Sequence, residues 1–298
     1  MMKKSEILPN PHDANLYSIL KKRIDSILFE YDFSLPQHHS WNQELKYPLI
    51  IGGKRIRAVL TYLVGLELKC SLISLDKIAT SLELIHAYSL VHDDLPCMDD
   101  DCFRRGVPSS HKKYGEASAV LIGDALLAES FVCINTSDQI SMTAKIEITK
   151  ELSLAASGRA LVLGQWLDIH KTAENLSDLE QLHSFKTGAL FGASLCCPAL
   201  LSHQKNIASS LKKLGIKIGL AFQIQDDILD YSSSSSLGKT SGKDKAQHKK
   251  TFVSFLGLDK SKQLAENLYQ EVIFNFEKLF PNSDKLPKFI EQIKLRLY

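Results

Sequence analysis

Residues 93–101 carry five carboxylates, in Asp93-Asp94-Leu-Pro-Cys-Met-Asp99-Asp100-Asp101. Like charges this close repel one another, most strongly when partly buried. Alone, the cluster also fits a solvated acidic loop. A second acidic segment, Asp226-Asp227-Ile-Leu-Asp230, changes that reading. Gln223, Asp226, Asp227 and Asp230 fall at i, i+3, i+4 and i+7, so a helix places them on one face. Gly219 and Ile216 extend that face backwards, while Phe222, Ile224, Ile228 and Leu229 make the other sides apolar. A polar stripe on an apolar helix faces a cavity, and carboxylates in a cavity need cations. Oxygen donors without His or Cys partners select Mg²⁺, with Mn²⁺ as a substitute, over zinc. Mg²⁺ takes one or two carboxylates and completes its shell with water and phosphate oxygens. Two such clusters therefore imply a diphosphate held between them.

A diphosphate also needs fixed cations. Gly52-Gly53-Lys54-Arg55-Ile56-Arg57 sets a glycine pair before Lys54 and Arg57, which share a helix face. Alone this also reads as a solvated basic surface. Arg104-Arg105-Gly106 follows the first acidic cluster, where guanidinium groups can grip phosphate bidentately. Lys186-Thr187-Gly188 and Lys239 are further candidates. Leu82, His86, Ser89 and Asp93 share one face by helical counting, so His86 lies two turns below the acidic cluster. Pro96 predicts an interruption of that helix, which leaves Asp99 off the ideal wheel.

The elements that must position these groups read as helices. Apolar residues recur at helical spacing over 78–93, 119–134, 146–163, 207–231 and 262–280, and strand-like alternation is short and rare. Gly (15) and Pro (9) are below average usage among the 298 residues, so turns are few and elements long. Ser232–Ser236 and the Leu-Gly-Lys-Thr-Ser-Gly-Lys that follows read as a mobile loop, with helical pattern resuming near 252. One helical domain over 1–298 is the expected organisation. The net charge of +2 is too small to make nucleic acid the expected partner. No uninterrupted apolar run approaches the roughly 18 residues of a membrane span. The N-terminus lacks an apolar signal region. Six cysteines without CxxC pairs read as reduced thiols, so a cytoplasmic location is expected.

At this point the sequence resembles the trans-isoprenyl diphosphate synthases, and among them the bacterial-type farnesyl diphosphate synthases. The resemblance is carried by Glu83-Leu-Ile-His-Ala-Tyr-Ser-Leu-Val-His-Asp-Asp-Leu-Pro-Cys-Met-Asp-Asp-Asp-Cys-Phe-Arg-Arg-Gly106, by Phe222–Asp230, and by Leu237-Gly-Lys239. It implies an all-α, single-domain bundle of antiparallel helices around a deep central cavity (the isoprenoid synthase fold), usually in a homodimer. It implies three Mg²⁺ ions: two on Asp93 and Asp99 and one on Asp226, with Asp94, Asp227 and Asp230 in support. Lys54, Arg57, His86 and Arg105, with Gly53, match the isopentenyl diphosphate site. Arg104, Lys186, Thr187, Gln223 and Lys239 match the allylic diphosphate site. Gly164-Gln165-Trp-Leu-Asp168 matches a segment near the cavity wall.

The implied reaction joins isopentenyl diphosphate head-to-tail to dimethylallyl or geranyl diphosphate and releases pyrophosphate. The cations, Arg104, Lys186 and Lys239 among them, stabilise the leaving group, and the loop bearing Lys239 would act as a lid. Tyr88, fifth before the first motif and followed by Ser89, would floor the pocket and stop elongation at the C15 product. A geranylgeranyl diphosphate synthase is the main alternative. A terpene cyclase would be expected to replace the second motif with an Asn/Ser/Glu triad, and a non-catalytic partner subunit fits poorly with both aspartate sets intact. Three positions depart from the family pattern. Cys102 stands where an acid is common, the 231–236 stretch is a residue short, and 247–253 lacks the usual Gly and Pro, which puts Lys249 in doubt as a phosphate contact.

Overall fold

The structure is a computed structural model that describes residues 16–35, 37–236 and 250–295. Its contacts divide the chain into two compact units, Met1–Lys150 with Cys197–Gln204, and Glu151–Cys196 with Lys205–Tyr298. Helices dominate both. The one sheet among the described residues is a hairpin of two-residue strands, β1 (Phe103–Arg104) and β2 (Val107–Pro108).

The first unit is built on α1 (Leu16–Glu30), α2 (His39–Ile50), α3 (Ile56–Glu67), α4 (Leu72–Asp93), α5 (Ser110–Tyr114) and α6 (Glu116–Asn135). Leu16, Leu20, Ile24 and Leu28 recur every four residues on α1 and are all buried. Each such side chain contributes about 1.5–3 kcal/mol. An Arg23–Asp76 pair with two 2.6 Å contacts, joined by the Tyr62 hydroxyl at 2.7 Å, ties α1, α3 and α4 together. Helix α4 is buried on nearly every side, as a core helix must be. It packs against α3 and α6. Ala119, Ile122 and Leu126 of α6 are fully buried, whereas Val120, Leu121 and Val132 are exposed.

Helix α7 (Met142–Ala156) begins in the first unit and ends in the second. The second unit continues with α8 (Leu161–Ile169), α9 (Leu176–His183), a π-helical turn (Ser184–Gly188), α10 (Ala189–Leu201), α11 (Lys205–Ser236), α12 (Phe252–Leu256), α13 (Leu258–Leu279) and α14 (Lys285–Leu295). The last residues of α10 belong to the first unit. Ala173, Leu179, Leu182, Ile224, Phe252 and Ala265 form one buried cluster.

Three expectations change. The pattern over 146–163 is not one helix. The Ser157 hydroxyl takes the Arg159 N–H at 3.1 Å, turning the chain between α7 and α8. The Ser-rich stretch is not a loop up to Ser236, because α11 runs through it. Serine is tolerated in a helix, and Ser232 hydrogen-bonds back to the Ile228 carbonyl at 2.8 Å. The rest of that segment, including Lys239 and Lys249, lies outside the described residues. Finally, α6 and the 176–201 stretch are long and apolar enough, by length and composition alone, to cross a bilayer. Here α6 packs on α4 in the first unit, and two thirds of the 176–201 window is buried.

Glycines set one helix contact in the second unit. Gly188 and Gly192, on the π turn and α10, meet Gly215 and Gly219 of α11. A Cβ on Gly219 would stand 2.6 Å from the Gly188 Cα, and one on Gly215 would stand 2.3 Å from the Phe191 carbonyl oxygen. Neither obstacle is a side chain that can swing away. Gly219→Ala is expected to cost about 1–3 kcal/mol of stability, as overpacking does. It should also reduce turnover by displacing the π turn. Thermal unfolding together with steady-state rates checks this, and a variant with native melting and rate would refute the close-contact role.

Candidate active site

In the first unit, α4 ends at Asp93 and the chain folds back on itself. The Asp99 N–H donates to the Asp93 carbonyl at 2.9 Å, Asp100 to Leu95 at 3.1 Å, and Asp101 to Asp94 at 3.1 Å. Pro96 therefore ends the helix as expected, and the turn that follows brings Asp99 back beside Asp93. Asp100 takes a left-handed φ of 48° in this turn, a conformation that Asp adopts more readily than most residues. Asp94 is buried, and its carboxylate receives Arg104, with Nε at 3.0 and 3.2 Å from its two oxygens. Burial raises the Asp94 carboxyl above its ordinary range more than Arg104 lowers it. Arg104 also reaches Asp101 at 3.4 Å.

The β1–β2 hairpin parts the two arginines. Arg105 and Gly106 both have positive φ, 55° and 81°, the requirement of a tight hairpin turn. Arg104 stays on the strand and turns to Asp94. Arg105, at the turn, donates to the Gly52 carbonyl. A Cβ on Gly53, whose φ is 140°, would stand 2.8 Å from that guanidinium and push it aside. Lys54, Arg57, His86 and Arg105 thus belong to one neighbourhood of the first unit. His86 is held well below its usual 6.5, first by desolvation and then by Arg57, Arg105, Arg55 and Arg104. It is neutral at pH 7 and can donate a hydrogen bond without adding repulsion. One turn closer to Asp93, the Ser89 hydroxyl donates to the His86 carbonyl at 3.0 Å. Tyr88 is 5% exposed and meets His92 edge-on at 5.9 Å. Burial and then Asp93 push its hydroxyl up to about 12.

In the second unit the π turn carries Lys186 and Thr187. Its wider coil is often found at functional positions. Gly164 of α8 presses against it, since a Cβ there would lie 2.2 Å from the Lys186 nitrogen. Lys186 pairs with Asp168 at 2.5 Å, which gives the Gly164–Asp168 segment a concrete task. The Thr187 hydroxyl reaches the Gln223 amide oxygen at 3.4 Å, and the Gln223 amide nitrogen donates to Asp227 at 3.1 Å. The other Asp227 oxygen accepts the Phe252 N–H at 2.9 Å, at the start of α12. Asp227 is therefore buried and engaged at both oxygens. Asp226 is half-buried and Asp230 exposed. The acidic stripe on α11 is real, but its members have different surroundings.

Sequence reasoning missed Asp25 and Glu83, which hold the buried Arg55, and the His92 contact with α6, where Nε2 lies 3.0 Å from the Val120 carbonyl. No spacing rule marks these long-range partners. Among the described residues no group of three His, Cys, Asp or Glu could enclose a metal. The donors present are carboxylate oxygens with Asp99 folded back beside Asp93, a set suited to Mg²⁺ that also binds phosphate and water.

Residues 38–285 match the polyprenyl synthetase family. The chain is 42% identical over 246 residues to the farnesyl diphosphate synthase of Haemophilus influenzae, covering 80% of this chain and 82% of that protein. It is 38% identical over 277 residues to a heterodimeric geranylgeranyl pyrophosphate synthase large subunit from Arabidopsis thaliana, covering 88% and 74%. The crystal structure of a Helicobacter pylori geranyltransferase complexed with magnesium and isoprenyl diphosphate aligns with a TM-score of 0.81 at 33% identity, over 98% of this chain and 99% of that one. An all-helical fold carrying two aspartate motifs and separate cationic clusters defines a diphosphate-handling transferase. The chain belongs to the polyprenyl synthetase family. It is a prenyltransferase that elongates prenyl chains.

The lowered His86 pKa has a stability consequence. The unfolded chain takes up a proton as pH falls through about 6.5, whereas the folded chain does not. Stability associated with neutral His86 is thus present above pH 6.5 and lost as pH falls towards the folded value. His86→Gln is expected to lose less melting temperature between pH 7 and 5.5 than the parent protein, by about 2 °C for each kcal/mol of linkage. Equal losses in the two proteins would contradict a depressed His86.

Proposed function

We propose that the chain condenses isopentenyl diphosphate with dimethylallyl and then geranyl diphosphate to give (2E,6E)-farnesyl diphosphate and pyrophosphate. The observation that carries this reading is the cationic neighbourhood in the first unit. There Arg105 is turned onto Gly52, beside Lys54 and Arg57, and next to a neutral His86. These groups, with Gly53, would bind the isopentenyl diphosphate. Lys186, Thr187 and Gln223, with Arg104 and Lys239, would bind the allylic diphosphate. The family match crosses both units, which supports one polyprenyl synthetase domain over 1–298.

Asp93, Asp99 and Asp226 have the chemistry to hold three Mg²⁺ ions, with Mn²⁺ as a substitute, and Asp230 would support them. Asp94 and Asp227 would act by orienting Arg104 and Gln223, which they already engage. Bound Mg²⁺ would neutralise diphosphate charge and favour departure of pyrophosphate. Lys186, held by Asp168, would place its ammonium against the departing oxygen, and the Thr187 and Gln223 dipoles would face the developing allylic charge. The isopentenyl double bond then attacks the allylic carbon, and the proton lost from the adjacent carbon passes to pyrophosphate oxygen. Exclusion of water protects the cation.

A homodimer is part of this reading. Val120, Leu121 and Val132 expose apolar surface on α6, a helix apolar enough by composition to seek cover, and a second copy of the chain is the proposed occupant. Leu121→Glu should shift sedimentation from a dimer towards a 33.3 kDa monomer, and an unchanged monomeric parent would rule the dimer out. The cytoplasm is the proposed location.

The reaction is tested by supplying isopentenyl diphosphate and Mg²⁺ with C5, C10 or C15 allylic partners and measuring product length. C15 should dominate from C5 and C10 starters, with little extension of C15. Dominant C20 would favour the geranylgeranyl reading, which the Arabidopsis relative keeps in view. Tyr88→Ala should shift products to C20 and beyond, and an unchanged C15 product would remove Tyr88 from the pocket floor.

A further inference from the structure

We propose that Arg55 is a positioning residue for the isopentenyl diphosphate site, a brace that sets the loop bearing Gly53 and Lys54 and the helix turn bearing Arg57. The inference rests on the proposed reading of that site and extends it to residues that do not touch substrate. The Arg55 side chain is only 4% exposed. Its Nε donates to Asp25 at 2.9 Å, its Nη1 to Glu83 at 2.9 Å, and its Nη2 to the Leu49 carbonyl. These partners belong to three helices, α1, α4 and the last turn of α2. Leu49 contributes one of the carbonyls that a helix end leaves without an intrahelical donor. Glu83 precedes His86 by three residues on α4, so the brace connects the loop to the helix that carries His86.

The backbone gives a reason for a brace. Gly52, Gly53 and Arg55 all have positive φ, at 92°, 140° and 53°. Glycine takes such values freely, but arginine does not. The conformation at Arg55 is held by the three segments its guanidinium grips. It also starts α3 one residue before Arg57, and the positive-φ Gly52–Gly53 pair just before it presents the Gly52 carbonyl to Arg105. A brace with net charge would disturb a site meant for phosphate. Here Asp25 is shared with Lys21 at 2.6 Å, so two carboxylates offset two cations. Lys54, Arg57 and Arg105 are the cations that the proposed reading assigns to the ligand. Glu83 and Asp25 also counter the lowering of the Arg105 proton affinity, which comes from desolvation first and then from Arg55 and Arg104.

The test separates the KM values of the two substrates. Arg55→Lys keeps the charge but loses the planar fork. It is expected to raise KM for isopentenyl diphosphate about tenfold while leaving the allylic KM and kcat within about twofold, as a displaced binding loop does. Asp25→Asn, at a half-exposed position, is expected to raise the same KM about threefold and decides the question if Arg55→Lys fails to fold. Arg57→Ala serves as the direct-contact control. A raised isopentenyl KM in Arg57→Ala with no change in the brace variants, even at lower melting temperature, overturns the brace and makes Arg55 purely structural. An unchanged KM in Arg57→Ala overturns the site itself, and the brace with it.

Discussion

Like charges gathered in one place repel, and the charged groups Asp94, Arg104, Arg105 and Lys186 are fixed in place by an opposite charge or by a backbone carbonyl. Four arginines surround His86, and its neutrality avoids adding a fifth positive charge. The acidic turn after α4 is sewn together by its own backbone hydrogen bonds, and Arg104 is drawn onto Asp94. Lys186 leans on Asp168. Without such anchors, the carboxylates and cations proposed to hold magnesium and diphosphate would pair at random or spread into solvent. Their preorganisation keeps the cost of charge rearrangement out of the reaction step.

The anchors use irregular backbone at the points of need. The left-handed residues around Gly52–Arg55, the hairpin turn at Arg105–Gly106 and the π turn at Ser184–Gly188 each interrupt a regular pattern. Each interruption carries or abuts a cation. The regular helices bury the core and supply rigidity. The deviations aim side chains, a division seen wherever a functional group must point in a direction that an ideal helix does not offer.

Much of the site was legible because its chemistry is local in sequence. Two acidic motifs, a glycine-flanked basic segment and the Lys186-Thr187 pair are visible as residue types at short spacing. Helical counting correctly put His86 and Ser89 below Asp93, and Gln223 with Asp227. Counting failed where local spacing stops being helical. It could not place Asp99 beyond Pro96, and it merged α7 with α8 across Ser157. It ended α11 early because a serine run looks like a loop, although it still permits helix.

The sequence alone determined the helical class, the carboxylate chemistry and the family, since period, donor type and motif order are properties of neighbouring residues. Tertiary structure decided which partners engage the motif carboxylates. Asp227 is consumed by Gln223 and Phe252, and Asp94 by Arg104. It also decided that Arg55, rather than Lys54 or Arg57, is buried among Asp25, Glu83 and the end of α2. The Arg55–Asp25, Arg55–Glu83 and Asp227–Phe252 pairings join residues 25 to 30 positions apart, and no local rule foretells them, because burial and partner choice are settled only when the helices pack.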